Sequence, residues 1–154
     1  MEHKFIHHLL PGMNSHINLS TYKAGLLQSK AHRTLTTFMR DQLKPYNMTL
    51  PEWATLGLTY DLHGIRPSEI ADLLGVKPPV ATSLLNKLEK KHLVTRQQHV
   101  ADSRAHIITI TSDGAKLITL VETTLRKELR RYFNDISVKE FSEYIRILTK
   151  LAAK

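Results

Sequence analysis

The stretch that decides the fold is DLLGVKPPVATSLLNKLEKKHLV, residues 72–94. A glycine closes one apolar segment, and two prolines open the next. Proline is well tolerated in the first turn of a helix, because the N–H groups there have no intrahelical acceptor. Apolar residues then recur at helical spacing. The sequence therefore predicts a helix over 78–91 with a buried stripe of Ala81, Leu84, Leu85 and Leu88.

The opposite side of this helix is polar and cationic. It carries Pro79, Thr82, Ser83, Asn86 and Lys90, with Lys87 alongside and Lys77 just before the helix. A DNA major groove admits one α-helix, and side chains near its N-terminal half read the base edges. We expect Thr82, Ser83 and Asn86 to contact bases or phosphates. Lys77 and Lys87 are expected to neutralise phosphates. The N-terminal end of the helix is expected to offer free backbone N–H groups to a further phosphate. The alternative is the solvated side of an ordinary core helix.

Three helices are predicted before this one. A long helix over about 15–44 ends at Pro45. Thr49 and Glu52 form a capping-box pattern that starts a helix reaching about residue 62. A short helix follows over 67–75, and we expect its apolar residues Ile70, Leu73 and Leu74 to face inward.

Two strands and two helices are predicted after it. The strands are expected at 94–100 and 106–111, with a polar hairpin tip at 101–105. A helix follows over about 113–133. The last helix starts at the capping box Ser137–Glu140 and carries Phe141, Tyr144, Leu148 and Leu151 on one side. The fold class is mainly α with a small β-hairpin wing, which is the winged helix-turn-helix arrangement.

Charge is unevenly distributed along the chain. The net charge is +8, from 22 Lys plus Arg and 14 Asp plus Glu. Residues 76–106 and 21–45 each sum to +4, whereas residues 46–75 sum to −3. One basic region therefore coincides with the polar helix, which favours a polyanionic partner there.

Composition excludes several kinds of site. The 154 residues contain no cysteine, so disulfides, thiolate nucleophiles and cysteine zinc sites are excluded. No apolar run approaches the roughly 18 residues of a membrane span, and the N-terminus lacks a secretory pattern, so we expect a cytoplasmic protein. No cofactor or catalytic motif stands out, and we expect no enzyme activity.

The core of the chain resembles the winged-helix core of MarR-family transcriptional regulators. The matching pieces are the capped helix at 49–62, SEIADLLG at 68–75, LLNKLEKKHLVTR at 84–96, Asp102-Ser-Arg104 and ITSDG at 110–114. His92 departs from the pattern, since the family commonly has glycine there.

The resemblance implies a homodimer in which N- and C-terminal helices interlock. Regions 1–44 and 113–154 then form the dimerisation helices, and 45–112 forms the DNA-binding lobe. It implies a repressor on double-stranded DNA, with a pseudo-palindromic operator. Asp102 is expected to hold Arg104 in an adjacent minor groove, and Arg96 to contribute to DNA binding. It also implies that a small aromatic or amphipathic effector often binds between the dimerisation helices and the lobe, for which Trp53, Tyr60 and Arg33 are the candidates.

Several alternatives stay open at this point. Trp53 and Tyr60 also fit a simple core. The basic run of Arg126, Lys127, Arg130 and Arg131 fits either a solvated side or a DNA or protein contact. His3 and His7 have helical i, i+4 spacing for Zn²⁺, but terminal solvated histidines explain them as well, and we expect no metal. A nonspecific architectural DNA binder, or a winged-helix interaction module without effector, remains the alternative function.

Overall fold

The computed structural model describes residues 21–99 and 102–153, except for the side chains of residues 99 and 102–105. The described elements are α1 (Thr21–Leu43), a short 3-10 helix (Lys44–Tyr46), α2 (Leu50–Leu62), α3 (Pro67–Leu74), α4 (Pro78–Lys90), β1 (Val94–His99), β2 (Asp102–Ile110), α5 (Ser112–Tyr132) and α6 (Val138–Ala152). This mainly helical order with one antiparallel hairpin confirms the predicted fold class. Residues 15–20 of the predicted first helix lie outside the described residues.

The chain divides into two compact units, Met1–Gln42 and Leu43–Lys154. Nearly all of α1 belongs to the first unit, and the remaining elements belong to the second. Among the described helices, none is long and apolar enough to cross a membrane.

The helix boundaries follow from local chemistry. The Thr49 hydroxyl accepts a hydrogen bond from the backbone N–H of Glu52, and the Glu52 carboxylate accepts one from the backbone N–H of Thr49. This reciprocal cap confirms the predicted start of α2. Gly75 ends α3 in the left-handed conformation, with φ at 63°.

The core of the second unit lies where α2, α3, α4 and α5 meet the hairpin. The four apolar residues predicted on α4 are all buried, which confirms that stripe. Leu73 was wrongly expected inside, because it is 58 % exposed and Ala71 takes its place beside Ile70 in the core. The largest fully buried side chains in this unit include Leu56, Ile70, Leu85, Leu88, Ile108, Ile118 and Leu125.

The second strand of the hairpin begins earlier than the sequence predicted, at Asp102 rather than residue 106. Val94 pairs with Ile110, and the ladder continues to His99 opposite Asp102, with a register shift after Gln98. Residues 102–105 are therefore strand rather than hairpin tip. Only Asp102 of this segment pairs with β1, opposite His99, and residues 103–105 lie within the register shift, which the polar composition did not predict. Ile65, between α2 and α3, also pairs with Ile108 through two hydrogen bonds of 3.1 and 2.9 Å.

Candidate nucleic-acid interface

The predicted reading side of α4 is exposed along its whole length. The residues that share this exposure are Lys77, Pro79, Thr82, Ser83, Asn86 and Lys87. Because the opposite stripe of α4 is buried in the core, the rotation of the helix about its own axis is fixed, and its polar side faces solvent. The arrangement presents hydroxyl, amide and ammonium groups together on one exposed surface.

The start of α4 lacks the free backbone donors that the sequence suggested. Pro78 and Pro79 have no N–H group, and the N–H of Val80 already donates to the carbonyl of Lys77 at 2.9 Å. The expectation that these backbone groups bind a phosphate was therefore wrong. Lys77, just before the helix, and Lys87, in its last turn, are exposed, and their binding to phosphates stays a prediction.

Arg96, on β1, is half-buried against α4 rather than extended into solvent. Its guanidinium donates a short hydrogen bond to the side-chain oxygen of Asn86. Its Nε lies 3.6 Å from a carboxylate oxygen of Glu89, one helical turn further along α4. The sequence pattern did not predict this contact. It assigned Asn86 and Arg96 to DNA binding separately and gave Glu89 no role.

The other predicted wing residues lie on β2. The backbone of Asp102 is at the beginning of the strand and that of Arg104 is two positions later. Their side chains lie outside the described part of the chain, so the Asp102–Arg104 ion pair stays a prediction.

Lys91 joins the end of α4 to the start of α2. Its ammonium donates to the Asn47 carbonyl at 2.6 Å and to Glu52 at 3.0 Å. Glu52 is 4 % exposed, and its carboxylate also accepts a hydrogen bond from the Thr49 hydroxyl. Burial raises the pKa of Glu52, but the hydrogen bonds from Thr49 and Lys91 and the charge of Lys91 together outweigh it, so the pKa of this carboxyl lies below its ordinary value.

A cavity of about 1100 Å³ lies between α2 and α5. Trp53 and Tyr60 of α2 line it, and the indole N–H of Trp53 donates to Glu122 of α5 at 2.9 Å. The four cations of the basic run, Arg126, Lys127, Arg130 and Arg131, also line it. Periodicity alone did not assign these cations to the cavity. Arg33 lies on α1, in the other compact unit, and its grouping with Trp53 and Tyr60 stays a prediction.

The side of α6 predicted to be apolar is uncovered in the described structure. Phe141 and Tyr144 are close to two-fifths exposed, and Leu151 is more exposed than either. Phe141, in the first turn of the helix, contacts Phe133 at a ring-centroid distance of 5.4 Å. Among the described residues, no three side chains of metal-binding type form a cluster. His3 and His7 lie outside the described residues.

Comparison with known proteins confirms the family resemblance. Residues 48–106 match the model of the MarR family. This match spans α2, α3, α4 and most of the hairpin, which are the elements that carry the candidate interface.

Solved structures share the fold over most of the chain. A MarR-family transcriptional regulator from Rhodococcus sp. RHA1 is 20 % identical, with a TM-score of 0.78 over 88 % of this chain and 96 % of its own. A mutant of Escherichia coli MarR complexed with operator DNA is 20 % identical, with a TM-score of 0.77 over 89 % and 99 %. CouR from Rhodococcus jostii RHA1, bound to p-coumaroyl-CoA, is 22 % identical, with a TM-score of 0.76 over 84 % and 91 %.

Proposed function

We propose that this chain, whose residues 48–106 form a MarR-family domain, is a cytoplasmic, sequence-specific DNA-binding regulator of transcription that acts as a repressor. The observation that carries the proposal is the exposed surface of α4, where Thr82, Ser83 and Asn86 lie between Lys77 and Lys87. Hydrogen-bonding groups flanked by cations suit a helix in a major groove, because phosphate contacts position it and base contacts give specificity. The MarR complex with operator DNA supports this reading.

The wing is proposed to add a minor-groove contact. Arg104 enters the groove beside the one that receives α4, and Asp102 orients its guanidinium. Narrow minor grooves concentrate negative potential and so attract arginine. We expect Arg104→Ala to weaken operator binding by about 1–3 kcal/mol without loss of fold. An unchanged affinity would remove the wing from the interface.

A homodimer is proposed because α6 leaves an apolar side uncovered. A soluble chain rarely leaves such a continuous apolar surface in water. Pairing of two copies through the C-terminal helices, with the N-terminal region contributing, covers it. Two-fold symmetry then places two copies of α4 on successive major grooves, so the operator is pseudo-palindromic.

The cavity between α2 and α5 is the proposed effector site. Trp53 and Tyr60 offer aromatic surface, and the basic run offers positive charge, so an aromatic or amphipathic acid fits the lining. An effector acts only if it binds the DNA-free state more tightly than the DNA-bound state, which relieves repression. Thermal melting against a panel of aromatic carboxylates tests this part, and no shift with any of them would favour regulation without such an effector.

The test of DNA recognition is a titration of the full-length protein against fragments of varied sequence at two salt concentrations. We expect a subset of fragments to bind far more tightly than the rest, with affinity falling as salt rises. Equal binding to all fragments at both concentrations would contradict a specific regulator and favour a nonspecific architectural binder.

A further inference from the structure

We infer that Arg96 and Asn86 act together to select guanine at one position of each half-site. The inference rests on the proposed function and concerns the base chemistry that α4 can read. Arg96 is a positioning residue in this account, since it acts through the amide that it holds.

The contact fixes the orientation of the Asn86 amide. The guanidinium of Arg96 donates to the amide oxygen, and its Nε is held near the carboxylate of Glu89 at 3.6 Å. The amide is planar and its oxygen and nitrogen branch from one carbon, so an oxygen turned toward Arg96 turns the nitrogen away. Within the described part of the chain, that nitrogen has no hydrogen-bond partner, and the residue is exposed.

This orientation disfavours the usual pairing of asparagine with adenine. Asparagine reads adenine by donating to N7 while its oxygen accepts from the N6 amino group. Here the amide oxygen already accepts from a charged donor, and the positive guanidinium next to it repels the amino hydrogens of adenine.

Guanine fits the same arrangement. It presents two acceptors, N7 and O6, in the major groove and no donor beside them. The Asn86 nitrogen supplies the donor, and the charge of Arg96 adds attraction to the acceptor-rich edge. Glu89 keeps the guanidinium beside α4, so the charge stays next to the amide.

The experiment measures base preference rather than affinity alone. Wild-type protein first selects sites from a randomised duplex library. Affinities are then measured for all four bases at each half-site position, with wild type, Asn86→Ala, Arg96→Met and Arg96→Lys. Arg96→Lys keeps the charge but replaces the planar fork, which reaches Asn86 and Glu89 through different nitrogens, with a single ammonium group. Thermal melting checks that each variant is folded. Lys87→Met is the matched control, since it removes a cation from the same surface without touching the amide.

We expect one position at which wild type prefers guanine and Asn86→Ala loses the preference. Both Arg96 variants should lower the guanine-over-adenine ratio there by about tenfold. Lys87→Met should weaken binding by the same factor for all four bases at that position. Wild-type preference for adenine at that position, or an unchanged ratio in a folded Arg96 variant, would overturn the inference. A wild type that selects no sequence would instead contradict the proposed function itself.

Discussion

The ammonium of Lys91 lies 3.0 Å from the carboxylate of Glu52, which joins the residue after α4 to the first turn of α2. Glu52 also caps α2 through Thr49. One buried carboxylate therefore both starts a helix and fixes the C-terminal end of the proposed reading helix. This contact adds a polar link to the apolar stripe that packs α4 against the core.

Replacing Lys91 by methionine should lower the free energy of unfolding by about 1–3 kcal/mol, because a buried carboxylate loses its cation and one hydrogen bond. Urea unfolding measures the change. Lys90→Met is the control, since Lys90 is exposed, and it should shift stability by no more than about 0.5 kcal/mol. Equal stability of the two variants would show that the contact contributes little.

The lowered pKa of Glu52 gives stability a pH dependence of known sign. The folded-state pKa lies below the ordinary value of 4.5, so the stabilising contribution is complete above 4.5 and is lost as pH falls through the folded value. We expect the difference in unfolding free energy between wild type and Glu52→Gln to be largest near neutral pH and to shrink below 4.5. Urea unfolding over a pH series measures it, and a difference that stays constant with pH would contradict this assignment.

Gly114, at the start of α5, has no room for a side chain. Its N–H donates to the Thr111 hydroxyl at 3.0 Å, and a Cβ added there would lie 2.1 Å from the carbonyl oxygen of Leu93. Gly114→Ala should therefore lower the melting temperature, at a cost of roughly 1–3 kcal/mol.

The matched control for this prediction is Gly25→Ala, in α1. Nothing that the structure describes lies within 4 Å of a Cβ at Gly25, and alanine favours a helix by about 0.5–1 kcal/mol over glycine. The same substitution should thus stabilise at one site and destabilise at the other. Two shifts of the same sign would contradict the packing argument.

The oligomeric state in solution tests the proposal that the apolar side of α6 forms a dimer contact. Leu148→Glu places a charge in the middle of the apolar surface and should convert dimers to monomers in sedimentation velocity experiments. Lys150→Glu introduces a carboxylate two residues away, on the polar side of the helix, and should leave the dimer intact. A wild type that sediments as a monomer at all concentrations would contradict the dimer proposal.

Much of the fold could be predicted because its signals are local. The caps at Thr49 and Ser137, the glycine stop after α3 and the apolar stripe of α4 all depend on residues within a few positions of one another. The exposed polar surface of α4 followed directly from that stripe.

Contacts between distant elements could not be predicted in this way. The pairing of Ile65 with Ile108 and the contact of Arg96 with Asn86 depend on how separate segments pack. His92 shows where sequence information ends and structural information begins. The sequence marks it as a departure from glycine, and the structure supplies the reason that glycine suits the position, since φ is 57° there.

The central claim is that two copies of α4 enter successive major grooves with the Thr82–Asn86 side toward the bases. Methylation protection of guanines on a selected operator tests it most directly, because the reagent reports the major-groove N7 atom. We predict two protected patches about 10–10.5 base pairs apart, centre to centre, and their loss on substitution of Thr82, Ser83 and Asn86 by alanine. A single patch, no patch, or protection that survives the triple substitution would contradict it.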